Sequence, residues 1–268
     1  MMTKKVVYAI VVVAIILGIV FFYFNSMPKS TQLSQYDNVA VSQGTLARLY
    51  GIANNASLAA SAGTVYPAGI VQAPANSTPL ALSGKPELLY IGADYCPYCA
   101  SVRWGLVLAL MRFGNFSGLH YMTSSATDSY ANTATFSFYN ASYSSPSISF
   151  VEVELTTNEF DSATQSYPKL QNLTLPEQTI LYQNDNQGSI PFIDFANSSV
   201  SLGAPVGPQL LQGLNWTTVI QELGSPGSTL GQAMISAANL YTAEICKSIN
   251  NTAGVCSQSY VPTIEKTQ

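Results

Sequence analysis

Charge is scarce in this chain. Lys, Arg, Asp and Glu make up 9% of its 268 residues, against roughly 25% in an average soluble protein, so a surface rich in Ser, Thr, Asn and Tyr must be polar without being charged. The 10 basic residues are outnumbered by 14 acidic ones, giving a net charge of −4 and a pI near 4.9. No basic field exists for a phosphate backbone, which excludes nucleic acid as a partner. Histidine occurs once, at His120, in a strand-like run where a packed side chain is expected rather than a catalytic base. Of the 4 cysteines, Cys246 and Cys256 enclose nine residues, CKSINNTAGVC, without the short knuckle spacing of a zinc site. A structural disulfide between them, worth roughly 2–3 kcal/mol for so short a loop, is the first reading and a zinc site the minor one. The pattern calls for no metal and no cofactor.

Long apolar runs are absent after the first residues. Behind Lys4 and Lys5 stands VVYAIVVVAIILGIVFFYF, Val6 to Phe24, without a charge. As a helix it would reach about 28 Å at 1.5 Å per residue, close to the roughly 30 Å of bilayer hydrocarbon. A secretory signal has a shorter core, roughly 7–15 residues, and a small-residue cleavage site, whereas this run ends in Phe21, Phe22, Tyr23 and Phe24. It predicts an uncleaved transmembrane anchor over 6–24 in the cell membrane, with residues 1–5 cytoplasmic and the bulk of the chain extracytoplasmic. No second spanning run follows, so a polytopic transporter is excluded. Sequons at Asn55, Asn76, Asn115, Asn140, Asn172, Asn197, Asn215 and Asn250 agree with an exported, glycosylated protein.

Residues 25–81 read as a stalk and a docking helix, the latter within Val39–Ala62 with Leu46, Leu49, Tyr50 and Ala53 on one face and weakened at Gly51 and Asn54-Asn55. Prolines 67, 74, 79 and 86 mark an irregular crossing into a domain over 82–225, and 226–268 forms a helical extension. Glu87–Ala93 reads as a buried strand and Pro97–Phe113 as a helix, with Val102, Leu106, Leu110 and Phe113 on one face and Arg103 and Arg112 solvated. Gly118–Thr123 is expected as a second, parallel strand, and Ala134–Tyr139 and Ser147–Leu155 as a strand pair that extends the sheet or belongs to an insertion. Further helices are expected from Leu175, over Pro208–Leu223 and over Thr229–Ile249, with a strand at Pro191–Phe195 returning through Val200–Gly203.

The chemistry concentrates where the first strand passes into its helix, at ADYCPYC. A helix N-terminus carries unsatisfied N–H groups and partial positive charge, which favour a thiolate, and Cys96 is the residue that benefits. Asp94 reads as a turn residue, and the tyrosines as uncharged surface and core.

ADYCPYC followed by a helix, then IPFIDF, a hairpin and a helix, resembles the thioredoxin-like superfamily over roughly Glu87–Leu223. At finer grain SGKPELLYIGADYCPYC and RFGNFSGLHYMTSS resemble the archaeal membrane-anchored family called domain of unknown function 929. The resemblance implies an α/β, thioredoxin-like fold with an inserted segment, outside an archaeal membrane and in acid. It also implies that Cys96 is the attacking thiolate and Cys99 the resolving one, that Pro191 is a cis-proline facing them, and that the Ile190 backbone, with Pro97 and Tyr98, meets the substrate chain. Thioredoxin's buried acid before the motif falls at Tyr90, which leaves proton transfer at Cys99 without an evident partner.

Two functions follow. One is a membrane-anchored thiol–disulfide oxidoreductase acting on exported proteins that carry thiols or disulfides, together with a membrane redox partner. The other is a non-catalytic surface glycoprotein or binding module in which Cys96–Cys99 is a structural disulfide and Pro191 an ordinary trans proline.

Overall fold

The computed structural model describes Val13, Ile16 and residues 33–63, 71–72 and 78–266. Among these no helix is long and apolar enough to cross a membrane. This corrects the expected single-pass anchor and the cytoplasmic and extracytoplasmic sides assigned from it. Apolarity sets only the length a span would have, whereas crossing requires a continuous helix, and all of Val6–Phe24 except Val13 and Ile16 lies outside the described residues.

The chain is a mixed α/β protein. In order it forms α1 (Gln43–Ala53), α2 (Ala56–Ala62), β1 (Val71–Gln72), β2 (Ala81–Leu82), β3 (Lys85–Gly92), α3 (Pro97–Leu110), β4 (Asn115–Ser117), β5 (His120–Thr123), β6 (Ala134–Ser137), β7 (Ser142–Ser144), β8 (Ser149–Glu154), α4 (Leu175–Asn184), β9 (Phe192–Phe195), β10 (Val200–Leu202), α5 (Trp216–Leu223), α6 (Thr229–Ser248) and α7 (Tyr260–Glu265).

The main sheet runs β8-β3-β9-β10-β1, with β2 folding back on the start of β3. β3 is parallel to β8 and antiparallel to β9. Its apolar run from Leu88 to Ile91 is buried, as a strand covered on both faces requires. The parallel partner is therefore Ser149–Glu154. His120–Thr123, expected in that place, instead pairs antiparallel with Ala134–Ser137 in a separate ribbon. β8 is covered on both faces at its end, with Val153 and Glu154 both buried, whereas His120 and Tyr121 sit at intermediate burial beside the polar turn at Gly118.

α3 is buried at every position except Tyr98, so it is an internal helix rather than an amphipathic one. It packs on α6 at Gly105, where a Cβ would lie 3.1 Å from Ala237 Cβ and 3.4 Å from Tyr241 Cε2; the two backbones approach closely because no side chain stands there. α6 and the docking helices α1 and α2 share one apolar core with α3. In α1, Leu46, Leu49 and Ala53 face that core but Tyr50 is exposed, a departure from the expected face. The helix expected over Pro208–Leu223 is also divided: a 3-10 turn at Pro208–Leu211 precedes α5, which starts only after Asn215 caps it through Thr218 N.

Candidate functional site

At the C-terminal end of β3 three strands come level. Gly92 pairs with Glu154 on β8, and Ile91 with Phe192 on β9, so Pro191 stands beside Gly92 on the other side. The chain leaves β3 here, turns through Ala93–Tyr95, and enters α3 with Cys96 as N-cap.

Cys96 Sγ takes the place of a capping oxygen and accepts the Cys99 backbone N–H at 3.2 Å. Cys96 and Cys99 are both free thiols; Cys96 is 6% exposed and Cys99 fully buried. Their titrations are driven apart. A hydrogen bond from the Cys99 thiol, against the cost of burial and with the Cys99 and Tyr98 N–H groups and the Arg103 charge, pulls Cys96 below the usual thiol range. Burial, joined by the bond to Cys96 and the Glu154 charge, pushes Cys99 well above it. Such a division favours one thiolate rather than two.

Beneath the pair lies a buried charge cluster. Arg103 Nε donates to Glu154 Oε1 at 2.9 Å and Nη2 to Oε2 at 2.6 Å. Nη2 also reaches Asp94 Oδ1 at 3.4 Å, and the guanidinium stands 5.9 Å from the centre of the Tyr90 ring. Arg103 and Glu154 have no exposed side-chain surface. Burial and the Glu154 charge, against the pull of Arg103, push Asp94 up to about 7; Glu154 holds Arg103 through the two shorter contacts. Glu152 on the same strand is pushed up to about 8, first by burial and then by Glu154. Arg103, expected as a solvated helix position, and Asp94, expected as a turn residue, are thus interior partners. The signal available in the sequence was the apolar character of α3 on every face, which leaves no solvated side for Arg103.

Residues distant in sequence gather around the mouth. Tyr95 stacks on Tyr167 with ring centres 4.3 Å apart, exposed Tyr98 meets Tyr130 edge-on at 6.3 Å, and Tyr167 hydroxyl donates to Ser125 Oγ. Through Tyr95 and Tyr98 the two ring pairs flank Cys96 on either side in sequence, a placement that composition alone did not reveal. The Ile190–Pro191 peptide bond is cis, and among the described residues the Ile190 N–H and C=O make no backbone hydrogen bond. Cys246 and Cys256 form a disulfide at the end of α6, with Cα atoms 5.6 Å apart, so neither offers a thiolate to a metal. Arg112, also expected in solvent, is half-buried between α1 and α6. His120 is half-buried on β5, away from the cysteines' hydrogen-bond network.

No curated protein and no solved structure matches the chain. It is over residues 72–167, which include Cys96, Cys99, Asp94, Arg103 and Glu154, that the chain matches the family described as Domain of unknown function (DUF929).

Proposed function

We propose that this chain is a thiol–disulfide oxidoreductase built on a thioredoxin-like core, with protein thiols and disulfides as substrates. The observation that carries the reading is the N-cap position of Cys96, with its thiol held low while Cys99 beside it is held high. The strand order β8-β3-β9-β10, with β3 and β8 parallel and the cysteines at the β3–α3 junction, supports the thioredoxin-like reading. So does the proline at the start of β9, level with the end of β3.

In the reductive direction the Cys96 thiolate attacks one sulfur of a substrate disulfide. A bond from Cys96 to that sulfur forms, the substrate S–S bond breaks, and the second substrate sulfur leaves as a thiolate. Cys99 then attacks Cys96 Sγ, its proton passing to the substrate thiolate already released; the first substrate sulfur leaves as a thiolate, a Cys96–Cys99 disulfide remains, and two electrons have passed to the substrate. Run in reverse, the same steps oxidise a dithiol. Arg103 lies where its charge favours both thiolates, and the Glu154 charge opposes the Cys99 thiolate. The unpaired Ile190 backbone suits an added substrate strand, and Tyr98 and Pro97 lie beside the attacking sulfur.

The near-complete burial of Cys96 favours the second reading, a binding module with a structural pair. Trapping separates the two. With a disulfide-bonded peptide as substrate, the Cys99→Ser chain should accumulate a mixed disulfide that dithiothreitol releases, and Cys96→Ser should not. A reduction potential above about −300 mV accompanies an exchange-competent pair. Failure to trap, with a potential well below that value, replaces the enzyme with the binding module.

A further inference from the structure

Away from the cysteines, a cavity of about 260 Å³ opens between the α1–α2 junction and the Gly254–Tyr260 segment, and Arg112 lines it. The guanidinium is fixed from three sides. Nε donates to Ala53 O at 2.9 Å, Nη1 donates to Thr242 Oγ1 at 2.7 Å, and the Tyr260 ring centre lies 5.3 Å away. Among the described residues Nη2 has no protein acceptor and no carboxylate pairs with the group. Burial lowers its affinity for a proton and only Tyr260 acts in the other direction. A cation held in place, partly desolvated and without a counter-ion among the described residues is the opposite of the arrangement at Arg103, where two carboxylates meet the charge.

The rest of the lining points to what would complete it. Asn55 spends its side-chain oxygen capping α2, so its amide N–H groups are what it can offer to the cavity. Gln258 adds a second side-chain amide with no protein partner among the described residues. Ala56, Ala59 and Val255 supply apolar wall, and the other polar side chains in the lining are Tyr260 and Asn54, whose Nδ2 is spent on Tyr50 O and Met111 O. Side-chain donors and a positive charge in one cavity with alanine and valine walls describe a small amphiphile with an anionic head.

We propose that this cavity binds a small aliphatic carboxylate, its two oxygens taken by Arg112 with the Asn55 and Gln258 amides, and its alkyl tail against Ala56 and Ala59. With Nε spent on Ala53 O and one Nη1 N–H on Thr242, the coplanar donors left to a carboxylate are Nη2 and the second Nη1 N–H, a fork that an ammonium does not provide. The site is independent of the thiol chemistry and stands or falls without it.

The test uses butyrate as probe on the full chain, with chloride at matched ionic strength as control. Saturation-transfer NMR from protein to the butyrate methyl protons should show saturable binding. Arg112→Lys, which keeps the charge and loses the fork, should weaken it about tenfold or more. Ala56→Leu crowds the alanine wall from an exposed position at the start of α2, leaves Arg112 and the core in place, and should weaken butyrate to a similar degree. Saturation with both variants weakened establishes the site. No saturable transfer overturns the proposal, as does binding that both variants leave unchanged. Displacement of butyrate by inorganic phosphate at lower concentration overturns the carboxylate assignment, because a tail-independent anion site would then be present.

Discussion

Arg103 and Glu154 meet in a two-point ion pair with N–O distances of 2.9 and 2.6 Å, closed off from solvent, with the Arg103 charge acting on both motif cysteines and the Glu154 charge on Cys99. The pair joins α3 to β8 directly behind the Cys96–Cys99 turn. Its cost in desolvation is large, and it holds because two hydrogen bonds and a third partner, Asp94, meet the guanidinium. Arg103 Nη1 remains without an acceptor, so the balance is incomplete even in the native state.

Glu154→Gln keeps the shape of the side chain and removes its charge. The repulsion that raises Cys99 is lost, and Arg103 acts on the thiols with less of its charge neutralised. The pH profile of Cys99 alkylation by iodoacetamide should move to lower pH, and that of Cys96 should follow. Arg103→Met should move both the other way. Each change breaks a buried pair and should cost about 3–5 kcal/mol in denaturant unfolding. Unchanged profiles in variants that remain folded would mean that the cluster is structural and not coupled to the chemistry.

This cluster marks the limit of what the sequence discloses. The strand at Leu88–Ile91, the helix after Cys96, the hairpin after Pro191 and the helix from Thr229 are legible because each is a local pattern of apolar spacing, caps and turn residues. α4 is a clear case: Thr174 and Glu177 form a capping box with Pro176 in the first turn, and the helix starts where those residues place it. Glu154 meets Arg103 across 51 positions of sequence, and nothing local to either residue announces the other. Tyr90, read as a missing acid, stands in the strand whose neighbour supplies one. The strand pairing of Ser149–Glu154 with β3 likewise depends on which strand reaches the centre of the sheet, a competition that a single strand's alternation does not decide.

Stability should rise in mild acid. Burial is the first cause of the raised titration of Asp37 and Asp194, each to about 6, of Asp94 to about 7 and of Glu152 to about 8. Their folded values lie above the unfolded ones, so the native chain holds more protons than the unfolded chain. The contribution is full below about pH 4 and is lost as pH rises through the window 6 to 8. Asp161 and Asp185 have lowered values, set by hydrogen bonds from their own turns, and oppose the trend only below the ordinary carboxylate range. The unfolding free energy at pH 4.5 should therefore exceed that at pH 8 by more than about 1.4 kcal/mol, the equivalent of one full unit at one site. Cys96→Ser removes the one thiol whose lowered value works against the trend. A stability maximum at pH 8 in that variant would contradict the assignment of these carboxyls as buried and neutral.

The Cys246–Cys256 disulfide closes a loop with a sequence separation of 10, placing it at the short end of the range in which chain entropy stabilises. Replacing both residues by alanine should lower the unfolding free energy by about 2–3 kcal/mol. The bridge ties the end of α6 to the Gly254–Ser257 turn, far along the chain from the motif. Alkylation of Cys96 should proceed at an unchanged rate in the double variant. A large change in that rate would point to a relay between the two cysteine pairs.

Gly105 sets how closely α3 and α6 approach, and two opposing effects decide its substitutions. Alanine in a helix interior is favoured over glycine by about 1 kcal/mol, but the new Cβ would stand 3.1 Å from Ala237 Cβ and 3.4 Å from Tyr241 Cε2. A few tenths of an ångström of movement would relieve that contact, so Gly105→Ala should be close to neutral. Gly105→Val adds two methyl groups against a wall formed by Ala237, Tyr241 and the backbone of Ala238, all of them buried. Overpacking of this kind costs about 1–3 kcal/mol, to which the poorer helix propensity of a β-branched residue adds a little. Because α3 carries Cys99 and Arg103, with Cys96 as its N-cap, on one rigid element, the displacement should reach the site: thermal unfolding should shift down for valine and not for alanine, and alkylation of the buried Cys99 by iodoacetamide should be faster than in the native chain for valine and not for alanine.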